Sequence, residues 1–361
     1  MNSTLGERVK KLTGPILITG HTGFKGTWLT LLLERLGVSV VGLSLEPLSD
    51  SLFDRAHRRG KIPETFSDIR DFAAVDRFLK IHKPSAVFHM AAQPLVLESY
   101  KTPRETFETN VMGTANILDV SFKMNSIESI VVVTTDKVYR NDNSSKPFVE
   151  TDALAGKDPY SASKVGTEAV VAAWQHIAHV SGGPKIVSVR AGNVIGGGDW
   201  AEDRLIPDLI RGFAKDSIVK VRNPESTRPW QHVLDPLHGY LMVLEATLGG
   251  GTFKSINFGP SSESLSVREV VEICQGSWPR KTGVEFSADV QDRIIEARAL
   301  QLDSNYARQS LRWSTVWSQE SSVISTMAWW DKVLNQAVDS QTACGDDIGF
   351  LLGRVTSLGI S

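Results

Sequence analysis

Apolar residues in this chain fall in short runs that alternate with longer stretches of helical spacing. The first run, Ile16-Leu17-Ile18-Thr19, reads as a buried strand. Glycines at 20, 23 and 26 interrupt it, and from Thr27 the positions Trp28, Leu29, Leu31, Leu32, Leu33 and Leu36 recur as on one side of a helix. The alternation continues with a strand over Val38–Leu45, a short one over Glu64–Asp68, and a helix over Asp71–His82 with Phe72, Val75, Phe78 and Leu79 in phase. Ser85–Met90 predicts a fourth strand, Pro103–Lys123 a long helix, Ser129–Thr134 a fifth strand, Pro159–His179 another long helix and Lys185–Arg190 a sixth strand. Near-continuous apolar strands in strict alternation with helices predict an α/β fold, a doubly wound parallel sheet covered on both faces. Ligands of such sheets sit at the carboxyl ends of the strands.

Past Arg190 the pattern loosens. Gly192–Trp200 is too glycine-rich for long regular structure. Short helices near Ile206–Lys215, Pro236–Leu248 and Val267–Cys274 alternate with small strands such as Ile218–Val221 and Ser255–Phe258, which predicts a smaller mixed α/β lobe. From about Asp339 periodicity fades, and the tail is expected to be loosely ordered or to cap a neighbour.

Composition changes this picture little. A chain of 361 residues with 41% apolar and 22% charged content can bury a large core in two lobes. A net charge of −2 offers no basic field for nucleic acid. No apolar run approaches the ~20 residues that span a bilayer, and the N-terminus lacks an export signal, so a cytoplasmic protein is expected. Cys274 and Cys344 match no metal spacing, and no metal is expected.

Chemistry enters at the glycines. Strand, glycine turn and helix aim backbone N–H groups and a positive helix terminus at a pyrophosphate. Gly20 permits the tight turn, Gly23 lets backbone approach phosphate, and Gly26 lets helix pack on strand. Glu46, about 20 residues on, is placed to accept from both ribose hydroxyls and repel a 2′-phosphate, which favours NAD over NADP; an exposed loop carboxylate is the plain alternative, and the arginines at 55, 58 and 59 lie nearby. Tyr160 and Lys164 stand four residues apart on one helix face. An ammonium there favours phenolate and is expected to lower the tyrosine's pKa, so that Tyr160 takes a hydroxyl proton as hydride leaves the carbon, while Lys164 holds the cofactor ribose.

The wide spacing G-x-x-G-x-x-G resembles the extended short-chain dehydrogenase/reductase superfamily. More closely, TGHTGFKGTWL (19–29), FHMAAQPLV (88–96), NVMGT (110–114), TTDKVY (134–139), DPYSASK (158–164), VRAGNVIGGGDWAEDRLIPD (189–208) and RNPESTRPWQHVLDPL (222–237) resemble the CDP-glucose 4,6-dehydratase family of nucleotide-sugar dehydratases. The resemblance implies a Rossmann-type NAD-binding domain (1–190), a nucleotide-sugar-binding lobe (191–338) with segments that cross between lobes, and a C-terminal tail (339–361). It implies a lyase of deoxysugar biosynthesis, of the kind serving lipopolysaccharide O-antigen. Hydride leaves C4 of CDP-glucose for NAD, water is lost across C5–C6, and hydride returns to C6. A 4,6-dehydratase of another nucleotide sugar, or a 4-epimerase or reductase, is the alternative.

By the same resemblance Asp68 and Ile69 meet the adenine, and Ala91, Ala92 and Gln93 admit the pyrophosphate and nicotinamide ribose, with Asn110 behind them. Phe24 and Lys25 belong to the family signature, and the Lys25 charge could reach the pyrophosphate or stay exposed. Thr135 bonds the reacting oxygen, and Asp136 and Lys137 form the acid–base pair of the elimination. Lys137 as base with Asp136 as acid is the favoured assignment, and the reverse is consistent with the sequence. Asn193, Arg204, Arg222, Arg228 and Gln231 are expected on the substrate, Arg222 and Arg228 because guanidinium forks suit a diphosphate. Arg204 opens a helix, which suggests an anion beside it unless it is solvent-exposed. Glu296-Ala297-Arg298 falls where the family closes its pocket. The helices at 103–123 and 159–179 imply a homodimer, or a homotetramer.

Overall fold

A computed structural model describes residues 5–142, 146–260, 264–287 and 300–358; Glu296-Ala297-Arg298 lie outside them. Strands β1 (Ile16–Thr19), β2 (Val40–Ser44), β3 (Glu64–Phe66), β4 (Ala86–His89), β5 (Ser129–Val133) and β6 (Lys185–Ala191) alternate with helices α1 (Phe24–Arg35), α2 (Leu52–Arg55), α3 (Phe72–His82), α4 (Val96–Lys101), α5 (Pro103–Phe107), α6 (Gly113–Phe122) and α7 (Pro159–Ser181). There follow β7 (Val194–Ile195), α8 (Leu205–Ala214), β8 (Val219–Arg222), β9 (Thr227–Arg228), β10 (Gln231–His232), α9 (Leu234–Leu248) and β11 (Ser255–Phe258). The chain continues through β12 (Leu265–Ser266), α10 (Val267–Ser277), β13 (Val284–Ser287), α11 (Asn305–Leu311), α12 (Gln319–Asn335) and α13 (Ser340–Leu358).

Seven strands form one parallel sheet in the order β11-β6-β5-β4-β1-β2-β3. The order reverses beside β1, so β1 and β4 flank the switch point at which ligands of such sheets bind. Ile16 pairs with both Val40 and Ala86, and every residue of β1, β2 and β4 is buried. That burial on both faces is why these strands read as unbroken apolar runs.

Local signals set the helix ends. The Asp71 carboxylate accepts from Ala74 N at 3.0 Å to start α3, and Lys83 in the left-handed region ends it. Asp158 and Ser161 close a capping box at the head of α7, Pro159 occupies its first turn, and Gly182 at φ +74° terminates it.

Four expectations need correction. Helix α1 begins at Phe24 rather than Thr27, so Phe24, Lys25 and Gly26 are its first turn. The helix expected over 103–123 is split by a π-helical turn, Glu108–Met112, a feature that hydrophobic period does not register. Ser255–Phe258, read as part of the second lobe, is the edge strand of the main sheet beside β6. The tail, expected to be loosely ordered or to cap a neighbour, is helical over its described residues: α13 buries Ala343, Cys344, Ile348, Leu351 and Val355 and packs on α1 and α12. Glycines at 345, 349 and 353, each with open space around it, dilute that narrow apolar stripe.

Candidate active site

The loop after β1 fits a dinucleotide. Gly20 sits at φ +76°, and a Cβ there would lie 2.8 Å from Ala91 N; a Cβ on Gly26 would collide with Gly20 O. Gly23 caps α1 without a side chain, so no side chain among the described residues caps the helix's N-terminal amides. His89 anchors the facing strand. Its Nδ1 pairs with Thr19 Oγ1 at 2.7 Å and its Nε2 with Thr114 Oγ1 at 2.9 Å, while Met90 N and Ala91 N donate to the same Thr19 hydroxyl. Burial and the Lys164 charge push His89 down to about 3, so it is a neutral spacer.

The π-turn explains Asn110. Its carboxamide accepts from Gln93 N at 2.8 Å and donates to Gln93 O and to Ser163 Oγ at 2.8 Å. Asn110 therefore ties the Ala91-Ala92-Gln93 turn to α7 beside Tyr160 and Lys164. Ile69 is buried against Gly113, whereas Asp68 is engaged by Arg70 at 2.6 Å. Glu46 is exposed and ion-paired to Arg59, whose guanidinium lies 4.5 Å over the Phe66 ring.

At the end of β5, Thr135 caps a single 3-10 turn, Asp136–Val138. Its hydroxyl donates to Asp136 Oδ1 at 3.0 Å and accepts from Lys137 N at 3.3 Å. Asp136 is 1% exposed. Lys137 Nζ stands 3.7 Å from Asp136 Oδ1 and 3.5 Å from Asn193 Oδ1. Gly192 leaves room for the carboxylate, since a Cβ there would lie 2.9 Å from Asp136 Oδ2. Thr135 also hydrogen-bonds Tyr160, and Lys164 Nζ donates to Val133 O at 3.3 Å. The structure thus brings Thr135, Asp136, Lys137, Tyr160, Lys164 and Asn193 to one sheet edge.

The electrostatics differ from expectation on one point. Burial pushes Tyr160 up to about 12, with the Asp136 charge adding to the rise; the Thr135 hydrogen bond and Arg204 oppose it. The net shift is upward, not downward, because desolvation of the phenolate outweighs the Thr135 hydrogen bond and the Arg204 charge. Burial pulls Lys164 down to about 8 despite the Glu168 carboxylate.

Sequence reading missed the frame beneath the turn. Glu168 accepts from Arg190 Nε at 2.9 Å and Nη2 at 2.8 Å, from Ser188 Oγ at 2.8 Å and from Thr134 Oγ1. Arg190 also donates to Tyr139 Oη at 2.8 Å, which donates to Asn257 Oδ1 at 2.7 Å. Glu168 repeats the Tyr160–Lys164 spacing one turn further along α7, and that was its available signal. Arg190 in an apolar strand was the other.

Toward the second lobe, Arg204 meets Asp199 at 2.9 Å, so the anion its helix position called for includes one from this chain. Arg222 is exposed at the end of β8, and Arg228 is half-buried with Nη1 donating to Thr227 O. Gln231 is 2% exposed, and both ends of its carboxamide lack a partner among the described residues; its backbone N–H reaches Asn193 O. Phe24 approaches Gly196 of the glycine-rich loop, and Lys25 Nζ lies 5.9 Å over the Tyr240 ring of α9, a helix that packs on β5 and β6.

Known proteins resemble this chain in sequence and in fold. Residues 16–259 match the model of the NAD dependent epimerase/dehydratase family. A CDP-glucose 4,6-dehydratase of Salmonella typhimurium is 40% identical over 323 residues, 87% of this chain and 89% of its own. A dTDP-glucose 4,6-dehydratase of Xanthomonas campestris is 27% identical, covering 87% of this chain and 92% of its own. The solved dTDP-glucose 4,6-dehydratase of Streptomyces venezuelae, with NAD and TYD bound, superposes with a TM-score of 0.76 at 23% identity, over 90% of this chain and 98% of that one.

Proposed function

The chain belongs to the NAD dependent epimerase/dehydratase family, and from that premise we propose that it is a lyase converting CDP-glucose to CDP-4-dehydro-6-deoxyglucose and water. The observation that carries the reading is the buried Asp136 with Lys137 at 3.7 Å, one residue from the Thr135 that bonds Tyr160. An epimerase or simple reductase needs the tyrosine and lysine but no acid–base pair beside the threonine.

Residues of the glycine loop, Glu46, Asp68, Ile69, Ala91, Ala92 and Gln93 line the cofactor's path in this reading, with Lys164 at its ribose. Bound NAD supplies the acceptor and donor of the hydride that moves from C4 to C6. Tyr160 takes the C4 hydroxyl proton in its phenolate form, which Thr135 and Arg204 favour and burial opposes. Once C4 is a ketone the C5 hydrogen is acidic. Lys137 removes it, Asp136 protonates the departing C6 hydroxyl, water leaves, and Lys137 returns a proton to C5 as C6 receives the hydride. Asp-COOH with Lys-NH2 holds as many protons as the ion pair, and a dry site favours the neutral form. Asn193, Arg204, Arg222, Arg228 and Gln231 hold the nucleotide sugar.

Incubation with CDP-, dTDP-, UDP- and GDP-glucose tests the reading. CDP-glucose should lose one water by mass and gain 4-keto absorbance without added reductant; epimerisation with unchanged mass would overturn it. We infer further a cytoplasmic homodimer, pairing through α4–α7, where Leu97, Tyr100, Phe107, Met112, Ile177 and Val180 stay exposed. No helix among the described residues is long and apolar enough to cross a membrane. Light scattering of the holoenzyme would distinguish dimer from tetramer.

A further inference from the structure

On leaving β6 the chain wraps the acid–base pair. Gly192 runs against the carboxylate: a Cβ there would lie 2.9 Å from Asp136 Oδ2 and 3.0 Å from Pro229 Cγ. Asn193, the next residue, meets the amine. Lys137 Nζ donates to Asn193 Oδ1 at 3.5 Å, and Asp136 Oδ1 stands 3.7 Å from the same nitrogen. Asn193 is half-buried and held by its backbone: its carbonyl accepts from Gln231 N at 3.3 Å, and Val194 after it pairs with Gln231 in the β7–β10 ladder. The lysine is held at its own backbone, where Lys137 N donates to Thr135 Oγ1 at 3.3 Å. Two fixed stretches of chain therefore bring a carboxamide and an amine together. An ammonium has only hydrogens to offer, so the carboxamide presents its oxygen, and Nδ2 is what remains for the sugar.

We propose that Asn193 is a positioning residue for the base of the elimination: its carboxamide oxygen anchors one N–H of Lys137 and so aims the lone pair of the amine. The role rests on the dehydratase reading above, with Lys137 as base. A neutral amine carries two N–H bonds and one lone pair. Once the Cε–Nζ bond and one N–H are fixed, rotation stops and the lone pair has only the two remaining tetrahedral positions. Asp136 is unsuited to this task, because its charge changes when it gives its proton to the leaving oxygen. The carboxamide is neutral throughout, so it accepts equally before and after the step and adds no charge that would hold a proton on the lysine. Lys137 takes the C5 proton, the C5–H electron pair becomes the C5=C6 bond, and the C6–O bond breaks as its oxygen takes the Asp136 proton. Water leaves. As C6 receives the hydride, Lys137 returns its proton to C5. The proton that Tyr160 took from the C4 hydroxyl replaces, by exchange with solvent, the one Asp136 gave.

Two measurements on the NAD-loaded protein test this. In the first, Asn193→Ala and wild type undergo single turnover on saturating CDP-glucose in deuterated water. Reduced-nicotinamide absorbance should appear in the variant and then persist, because water loss and C5 exchange slow about 100-fold and C4 oxidation far less. Oxidation slowed as much as exchange, or exchange at the wild-type rate, would overturn the proposal. Wild-type protein that leaves CDP-glucose unoxidised would overturn the dehydratase reading, and the proposal with it. The second measurement needs no sugar and tests the contact itself. Lys137 is partly exposed, and Asp136 is the one carboxylate at ion-pair distance from it among the described residues. Asn193→Asp keeps the shape of the side chain and adds a second carboxylate beside the amine. Trace acetylation of Lys137, read by peptide mass spectrometry across pH, should show its half-reaction point rising by about one pH unit in that variant. An unchanged midpoint would show that residue 193 does not meet Lys137 and would sink the proposal.

Discussion

Arg190 grips Glu168 with two nitrogens, Nε to Oε1 at 2.9 Å and Nη2 to Oε2 at 2.8 Å, and both residues are almost wholly buried. Through Thr134 on one side and Tyr139 on the other, this pair brackets the turn that carries Asp136 and Lys137. The turn is short and lies beyond the sheet, so its geometry depends on what holds its two ends.

Removing one partner of that pair strands a buried charge. Glu168→Gln should cost about 3–5 kcal/mol of stability, seen as a lower urea midpoint. At temperatures where it remains folded, kcat should fall more than KM rises, because the turn proposed to carry the acid–base pair loosens while the residues proposed to hold the nucleotide sugar are untouched. A stability change below about 1 kcal/mol would show that the pair contributes little.

The two halves of the chemistry should separate by mutation. Lys137→Ala should still remove hydride from C4 but lose exchange of the C5 proton with solvent deuterium. Tyr160→Phe should lose C4 oxidation itself, by about 100-fold or more. Normal C5 exchange in Lys137→Ala would transfer the base role to Asp136.

In the proposed reading, cofactor choice rests on an exposed pair. With Glu46 engaged by Arg59, the carboxylate repels a 2′-phosphate and also masks the guanidinium that could accept one. Glu46→Gln should raise NADP affinity relative to NAD by about tenfold, a shift worth ~1.4 kcal/mol. Titration of both dinucleotides would check this, and an unchanged ratio would remove Glu46 from the selection.

Acid stability carries a sign set by buried histidines. Burial holds His89 down at about 3 and His238 at about 4, and lowers His21 as well. The unfolded chain protonates these near 6.5, so their contribution is complete above that pH and is lost as pH falls toward 4. Asp235, pushed up to about 8 by burial, works the other way and offsets one proton. The net loss should be about 1.4 kcal/mol per pH unit for each uncompensated proton. His238→Leu should flatten the dependence of the urea midpoint between pH 6.5 and 4; an unchanged slope would refute the assignment.

The sequence by itself determined the sheet, the glycine loop, and the Tyr160–Lys164 spacing. Each is written in a local period or a short motif: buried strands must be apolar throughout, and four residues make one helical turn. It also named Asp136 and Lys137, through resemblance. What lay beyond local pattern was decided by tertiary structure. Ser255–Phe258 joins the main sheet because β6 offers it an edge, which no short-range signal records. Asn110 acts through a π-turn, α13 is held by packing against α1 and α12, and Glu168 finds Arg190 on a different element. The direction of the Tyr160 shift reverses for the same reason. Spacing shows which charges stand near a group, but only the folded chain decides how much water is left around it.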